Sequence, residues 1–253
     1  MNSKIPKEGR SFDEILSQLD SFAVDDPDYK NAKTWSLVYY LDEEYTQFLQ
    51  KAYAKFFSAN GLNPTAFHSL KRFEKEVIGF TAELFHVDEE ACGVMTAGGT
   101  ESCMLAVKTY RDRGRSKGIN KPEMIVPETA HVAWGKGAEY FGVKIRRAPL
   151  SKDYRVDVKA VEKLVNKNTV MILGGAPEYP HGMIDPIEEL AQIAQKHGIP
   201  MHVDACVGGY ILPFMEECKI ELPIWDFRVP GVTSISADIH KYGFAAKGAS
   251  CII

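Results

Sequence analysis

The chain lacks any stretch with the character of a leader or a membrane anchor. Residues 1–10 are polar, and no uninterrupted apolar run approaches the roughly 18 residues of a membrane-spanning helix. A cytoplasmic protein is therefore expected. Basic charge is not massed anywhere: the formal net charge is -4, with no basic run and no basic stripe interleaved with aromatics. Nucleic acid and anionic membranes are accordingly not expected as partners. Cysteine is scarce and scattered. The five cysteines (Cys92, Cys103, Cys206, Cys218 and Cys251) contain no Cys-x-x-Cys, so neither a disulfide framework nor a zinc site is expected, and no metal. They read as reduced thiols filling a core. Internal repeats, low-complexity tracts and the G-x-G-x-x-G and G-x-x-x-x-G-K-[ST] phosphate motifs are all missing.

What remains is globular in kind. The 253 residues are 45% hydrophobic and 25% charged, enough for one large domain with or without a small appendage. Apolar residues recur at helical spacing over Phe12–Leu19 and from Asp42 to Phe57, where Asn60-Gly61 interrupts the pattern. After a turn at Asn63-Pro64, a further helix is predicted over 66–86. Short apolar runs then alternate with helical segments. Strands are predicted at 92–95, 124–126, 143–148, 170–173, 200–203 and 233–236, with another beginning at 250–253. Helices are predicted through Leu105 to Tyr110 and over 132–141, 158–165 and 186–197. This alternation predicts an α/β fold with a mostly parallel sheet covered on both faces. The terminal strand, 250–253, is expected to be unpaired, an aggregation-prone edge.

In such sheets ligands sit beyond the carboxyl ends of the strands, and four distinctive segments fall there. Lys241 follows the strand ending near Ser236; a lysine in a desolvated pocket has a lowered pKa and attacks carbonyls, whereas most lysines are solvated surface groups. Asp204 ends a buried strand, either as the carboxylate for a cationic partner such as a pyridinium nitrogen or as the cap of the next helix. Gly98-Gly99-Thr100, opening a helix, can cradle a phosphate with backbone N–H groups, helped by the Thr100 and Ser102 hydroxyls; glycine is also common in ordinary strand-to-helix turns. His131 follows another strand, as a ring to stack on an aromatic cofactor or as a structural histidine. Together the four amount to a set suited to pyridoxal 5'-phosphate.

Ser236-Ala-Asp-Ile-His-Lys-Tyr-Gly-Phe-Ala-Ala-Lys-Gly248 resembles the cofactor-lysine segment of the sphingosine-1-phosphate lyases, within the group II pyridoxal-dependent decarboxylases. The likeness extends through Thr96–Ser102, Ala130-His131, Tyr140–Gly142, Pro180–Pro186, His202–Cys206 and Asp226–Ser236, covering most of the chain from about residue 35. It implies a fold-type I architecture, with an N-terminal helical segment over 1–60 and a cofactor-binding large domain over 61–253. It further implies that Lys241 forms the Schiff base, Asp204 pairs with the pyridine nitrogen and His131 stacks on the ring. Gly98, Gly99, Thr100 and His240 would help bind the cofactor. Tyr39, Asn60, Asn63 and Lys247 fall at positions toward the substrate phosphate, with Tyr39 reaching across a homodimer interface.

Two departures accompany this. Where the family commonly reads Asn-Pro-Leu-His, this chain reads Asn60-Gly61-Leu62-Asn63, so an asparagine replaces a histidine. Family members also continue past the position of Ile253 into a small C-terminal domain, so this chain is expected to be truncated. The implied reaction is retro-aldol cleavage of a phosphorylated sphingoid base to a long-chain aldehyde and phosphoethanolamine. An amino-acid decarboxylase and a catalytically incompetent fragment are the alternatives.

Overall fold

The computed structural model describes residues 5–31, 33–34, 36–63, 65–87 and 91–253. Pro64, part of the predicted turn, lies outside the described residues. The chain divides into two compact units, residues 1–42 and 43–253.

Among its described residues the first unit carries one α-helix, α1 (Phe12–Phe22). Its start is set by a capping box: the Ser11 hydroxyl accepts the Glu14 N–H while the Glu14 carboxylate accepts the Ser11 N–H. The Ser11 N–H and, after it, the Ser11 hydroxyl donate to the Glu14 carboxylate and hold it below its ordinary value. A single turn of 3-10 helix follows at Tyr29–Asn31, with the Asn31 amide donating to Asp28.

The second unit begins with two helices, α2 (Glu43–Lys55) and α3 (His68–Leu84). The α/β alternation then runs β1 (Val94–Thr96), α4 (Gly99–Ser116), β2 (Glu123–Pro127), α5 (Val132–Phe141), β3 (Lys144–Ala148), α6 (Val158–Leu164), β4 (Thr169–Gly175), α7 (Ile187–His197), β5 (Met201–Asp204), α8 (Leu212–Glu217), β6 (Val232–Ala237) and β7 (Ser250–Ile252). The predicted elements all appear, with ends shifted by a few residues. The six-residue α8 had no counterpart in the sequence reading, because it is too short to show a period and carries Pro213 in its first turn.

The strands form one sheet in the order β1-β7-β6-β5-β4-β2-β3. Neighbours from β6 to β3 pair in parallel, and β7 alone runs antiparallel, to β1 on one side and β6 on the other. The expectation of an unpaired terminal strand is thus corrected: Val94 to Thr96 return from far back in the sequence to pair with Ser250 to Ile252. Because only β7 is reversed, the carboxyl ends of the other six strands share one edge.

Burial on both faces explains why β2 and β4 read as continuous apolar runs. Side chains alternate between two cores. Ile125 and Ile172 join Leu190, Met201 and Ile235 on one face, while Met124, Val126, Met171 and Leu173 join Val107 and Trp134 on the other. Each such fully buried side chain contributes about 1.5–3 kcal/mol by leaving water. The outer strand β3 is guarded by charge: Arg146 and Lys144 pair with the buried Glu123 at 2.7 and 3.4 Å. Arg146 is the main reason the Glu123 carboxyl lies below its usual range.

Candidate active site

The carboxyl edge of the sheet gathers the groups named from sequence. β6 ends at Ala237, and the turn that follows places Asp238, His240 and Lys241 against the start of α4. Lys241 Nζ pairs with Asp238 Oδ2 at 3.0 Å. His240 Nδ1–H donates to the Ala249 carbonyl at 2.6 Å, leaving Nε2 at 3.8 Å from Asp238 Oδ2. Asp238 is 3% exposed, and its Oδ1 has no hydrogen-bond partner.

The β1–α4 turn closes on this group from the other side. A Cβ on Gly99 would stand 2.7 Å from Asp238 Oδ1, so a side chain there collides with a buried carboxylate. Gly98 adopts φ 153°, where glycine is favoured, and a Cβ there would meet the His240 ring at 3.9 Å, an ordinary contact. The Gly99 and Thr100 N–H groups stand at the open N-terminus of the 18-residue α4, where helix donors have no intrahelical partner and the dipole favours an anion. Ser102 does not contribute there. Its hydroxyl is buried and bonded to Thr96 Oγ1 at 2.7 Å and Ser250 Oγ at 2.9 Å, tying the helix to the sheet.

The Lys241 amine corrects an expectation. Burial pulls its pKa down, but the charge and hydrogen bond of Asp238, with the Asp204 charge adding to them, outweigh that pull, so the net displacement is upward. The lysine rests as an ammonium held by Asp238. Lys247, by contrast, is displaced downward, by burial first and then by the like charge of Lys241. Its Nζ lies 3.5 Å from the His240 carbonyl.

Asp204 ends β5, and two donors fix its carboxylate. Trp134 Nε1–H donates to Oδ2 at 2.8 Å, and the Cys206 N–H donates to Oδ1 at 3.1 Å. Trp134 was not singled out from sequence; as an apolar residue inside a predicted helix it reads as core. His131 caps α5, its Nδ1 accepting the Ala133 N–H at 3.2 Å, and its exposed ring meets Tyr179 edge-on at 6.1 Å. Asn60 and Asn63 sit in the exposed loop between α2 and α3, in local turns to Leu62 N–H and Thr65 N–H. Tyr39 belongs to the first unit and is half-buried there.

Behind Asp204 on the same face of β5, His202 lies fully buried between Ser234 Oγ at 2.6 Å and Ser236 Oγ at 3.0 Å. Burial pushes its pKa down to about 4. The unfolded chain takes up this proton near pH 6.5 and the folded chain only near 4, so stability present above 6.5 is lost as pH falls through that window. With His202→Asn, the loss of unfolding free energy between pH 7 and pH 5 is expected to shrink by about 2 kcal/mol. Urea melts of both proteins at the two pH values check this; identical losses would mean that His202 is protonated in the native state.

A paired lysine, an anchored carboxylate and a glycine turn thus meet at the carboxyl edge of an α/β sheet. The pyridoxal-dependent decarboxylase conserved domain matches residues 45–253, and the chain belongs to that family. Sphingosine-1-phosphate lyase 1 of Rattus norvegicus is 44% identical over 251 residues, covering 98% of this chain and 44% of that protein. Sphingosine-1-phosphate lyase of Saccharomyces cerevisiae is 42% identical over 258 residues, again 44% of its length. This chain spans about half the length of the curated relatives it matches. Among solved structures, the sphingosine-1-phosphate lyase of Burkholderia pseudomallei superposes with a TM-score of 0.91 at 37% identity, over 100% of this chain and 60% of that one. The Lactobacillus brevis glutamate decarboxylase shares the fold, with a TM-score of 0.84 at 24% identity.

The residues present fit the family's cofactor, pyridoxal 5'-phosphate. The cradle at Gly98-Gly99 is one that side chains would fill, and the unpartnered Asp238 Oδ1 marks a buried polar group awaiting a donor. Among the described residues no helix is long and apolar enough to cross a membrane.

Proposed function

We propose that this chain carries the cofactor-binding part of a carbon–carbon lyase that cleaves a phosphorylated sphingoid base to a long-chain aldehyde and phosphoethanolamine. The observation that carries the reading is the meeting of Lys241, Asp238, His240 and the Gly98-Gly99 turn at one sheet edge, in a chain 44% identical to a protein named for that activity. Bound pyridoxal phosphate would supply an electron sink for the pair released when the C2–C3 bond breaks.

The chain's own residues supply the rest. Lys241 attaches the cofactor once its ammonium gives up a proton, and Asp238 Oδ2, 3.0 Å away, is placed to take it. Asp204, its orientation set by the Trp134 and Cys206 N–H groups, would hold the cofactor's ring nitrogen and keep it protonated. His131 would contact the ring. Gly98, Gly99 and Thr100 would hold the cofactor phosphate through backbone N–H groups at the start of α4, and His240 would face it from the turn after β6, its own N–H being donated to the Ala249 carbonyl. Lys247 receives the substrate phosphate. The downward displacement of its pKa beside Lys241 supports this, since two neighbouring cations with one carboxylate between them favour an added anion. Tyr39, Asn60 and Asn63 complete the substrate side, with Tyr39 contributed across a homodimer, and 61–253 forms the large domain.

A second reading, an amino-acid decarboxylase, is favoured by the match to the pyridoxal-dependent decarboxylase conserved domain. Lys247 argues against it, because a small amino acid needs no second phosphate-binding cation. The test is to incubate the chain with pyridoxal phosphate, fix it with borohydride, and assay the unreduced protein with sphinganine 1-phosphate and separately with glutamate. Fixation on Lys241 with aldehyde release is expected. Carbon dioxide from glutamate without aldehyde would replace the lyase reading with the decarboxylase. Fixation without either product would reduce the chain to a cofactor-binding fragment.

A further inference from the structure

Two thiols that the proposed chemistry does not use lie directly beside Asp204. Cys103, on α4, is 2% exposed, and Cys206, in the turn after β5, is 8% exposed. One sulfur from each and a carboxylate oxygen of Asp204 all lie within 4.8 Å of one another. Among the described residues no other three cysteine, histidine or acidic side chains converge in this way. The sequence hid the group, because Cys103 and Cys206 are more than a hundred residues apart and neither belongs to a Cys-x-x-Cys.

We propose that Cys103, Cys206 and Asp204 form a binding site for a soft divalent cation of the zinc type in the cofactor-free chain. Two thiolates and a carboxylate are the donor set that zinc accepts, with Zn–S near 2.3 Å and Zn–O near 2.0–2.2 Å, and one position left open. Hard cations such as calcium require more oxygens than this pocket offers. Closing atoms now within 4.8 Å onto a shared ion takes about an ångström of movement from each, which cysteine rotamers can supply. A disulfide is less well served. It needs the sulfurs at about 2.05 Å, with a set Cβ separation. The backbone on both sides is pinned, on α4 by the Ser102 bonds to the sheet and after β5 by the Cys206 N–H bond to Asp204.

Binding replaces two thiol protons, which leave to the solvent as the metal–sulfur bonds form. Because those protons are released, uptake tightens as pH rises. Asp204 is half-buried while the thiols are buried, so the carboxylate is the most accessible of the three ligands. Resting on the assignment of Asp204 to the cofactor nitrogen, metal and pyridoxal phosphate compete for one carboxylate and exclude one another.

The experiment is titration of the chelator-treated, cofactor-free chain with Co²⁺, followed by displacement with Zn²⁺. One equivalent of cobalt with a thiolate charge-transfer band in the near ultraviolet is expected, bleached by zinc. Affinity should fall at least a hundredfold in Cys103→Ser and in Cys206→Ser. It should be unchanged in Cys92→Ser/Cys218→Ser, which removes the two exposed thiols. Circular dichroism confirms folding of each variant, and Cys103→Ala, apolar and smaller, stands in if the serine form does not fold. No band in the wild type, or a band that survives Cys103→Ser, overturns the site, as does one that disappears with Cys92→Ser/Cys218→Ser. Prior loading with pyridoxal phosphate should block cobalt. If cobalt binds through the two buried thiols while borohydride fixes no cofactor on Lys241, the metal site stands and the proposed function fails.

Discussion

Lys241→Ala is expected to abolish borohydride-fixed cofactor entirely and to weaken the fold as well. The first effect follows from chemistry: with Nζ gone, no other amine at the sheet edge occupies the position 3.0 Å from Asp238. Lys247, the other lysine named there, lies with its Nζ near the His240 carbonyl. The second effect follows from charge. Asp238 is 3% exposed and already has one oxygen without a partner, so removal of Lys241 leaves a buried carboxylate without its counter-ion. Breaking a buried pair from one side costs about 3–5 kcal/mol, and the partial exposure of Lys241 brings the expectation to about 2–4 kcal/mol. The two effects separate in Lys241→Ala/Asp238→Ala, which discards both charges. Stability should return toward wild type in the double variant while cofactor fixation stays at zero. Mass spectrometry of the reduced, digested protein reads the first and urea denaturation the second. Cofactor fixed in Lys241→Ala would place attachment elsewhere; a double variant as unstable as the single would remove the ion pair from the account.

The contrast between Lys241 and Asp238 shows what a sequence conveys here. A lysine beyond an apolar strand, with glycines following, signals itself, and its place at the sheet edge was legible. Its protonation was not. Desolvation is foreseeable from a buried strand end, but the carboxylates that outweigh it arrive from β5 and from the turn at Asp238. Asp238 itself lay within the quoted segment without being singled out, because its meaning depends on Gly99 approaching from the other end of the sheet. Trp134 follows the same logic. Helical spacing marks it as core, which it is, yet the indole N–H that fixes Asp204 serves the site. The apolar runs of β2 and β4 were readable because two covered faces demand hydrophobic residues at every position. The pairing of β7 was not, since its partner β1 is a three-residue strand distant in sequence. Local pattern reports burial and period; which charges meet is a tertiary fact.

Gly99→Val is the sharpest test of the close approach between α4 and the Asp238 turn. The first atom of any side chain there would lie 2.7–2.8 Å from both Asp238 carboxylate oxygens, nearer than real contacts allow. Asp238 has little freedom to retreat, being short, buried and paired with Lys241, so the strain passes to the lysine or to the start of α4. Overpacking of this kind costs about 1–3 kcal/mol, which a urea melt will register. Cofactor retention should suffer more. Valine methyls would crowd the N–H groups that open α4 and would displace Lys241 from its pair, and a fall in affinity of about a hundredfold is expected, equivalent to roughly 2.7 kcal/mol. Asp238→Ala in the same chain removes the obstructing oxygens. Against that background the valine should cost little further stability, yet still weaken cofactor binding, because the methyls still fill the cradle. A valine that then costs neither stability nor affinity would mean that the turn acts only through Asp238 and that the α4 N-terminus does not hold the phosphate.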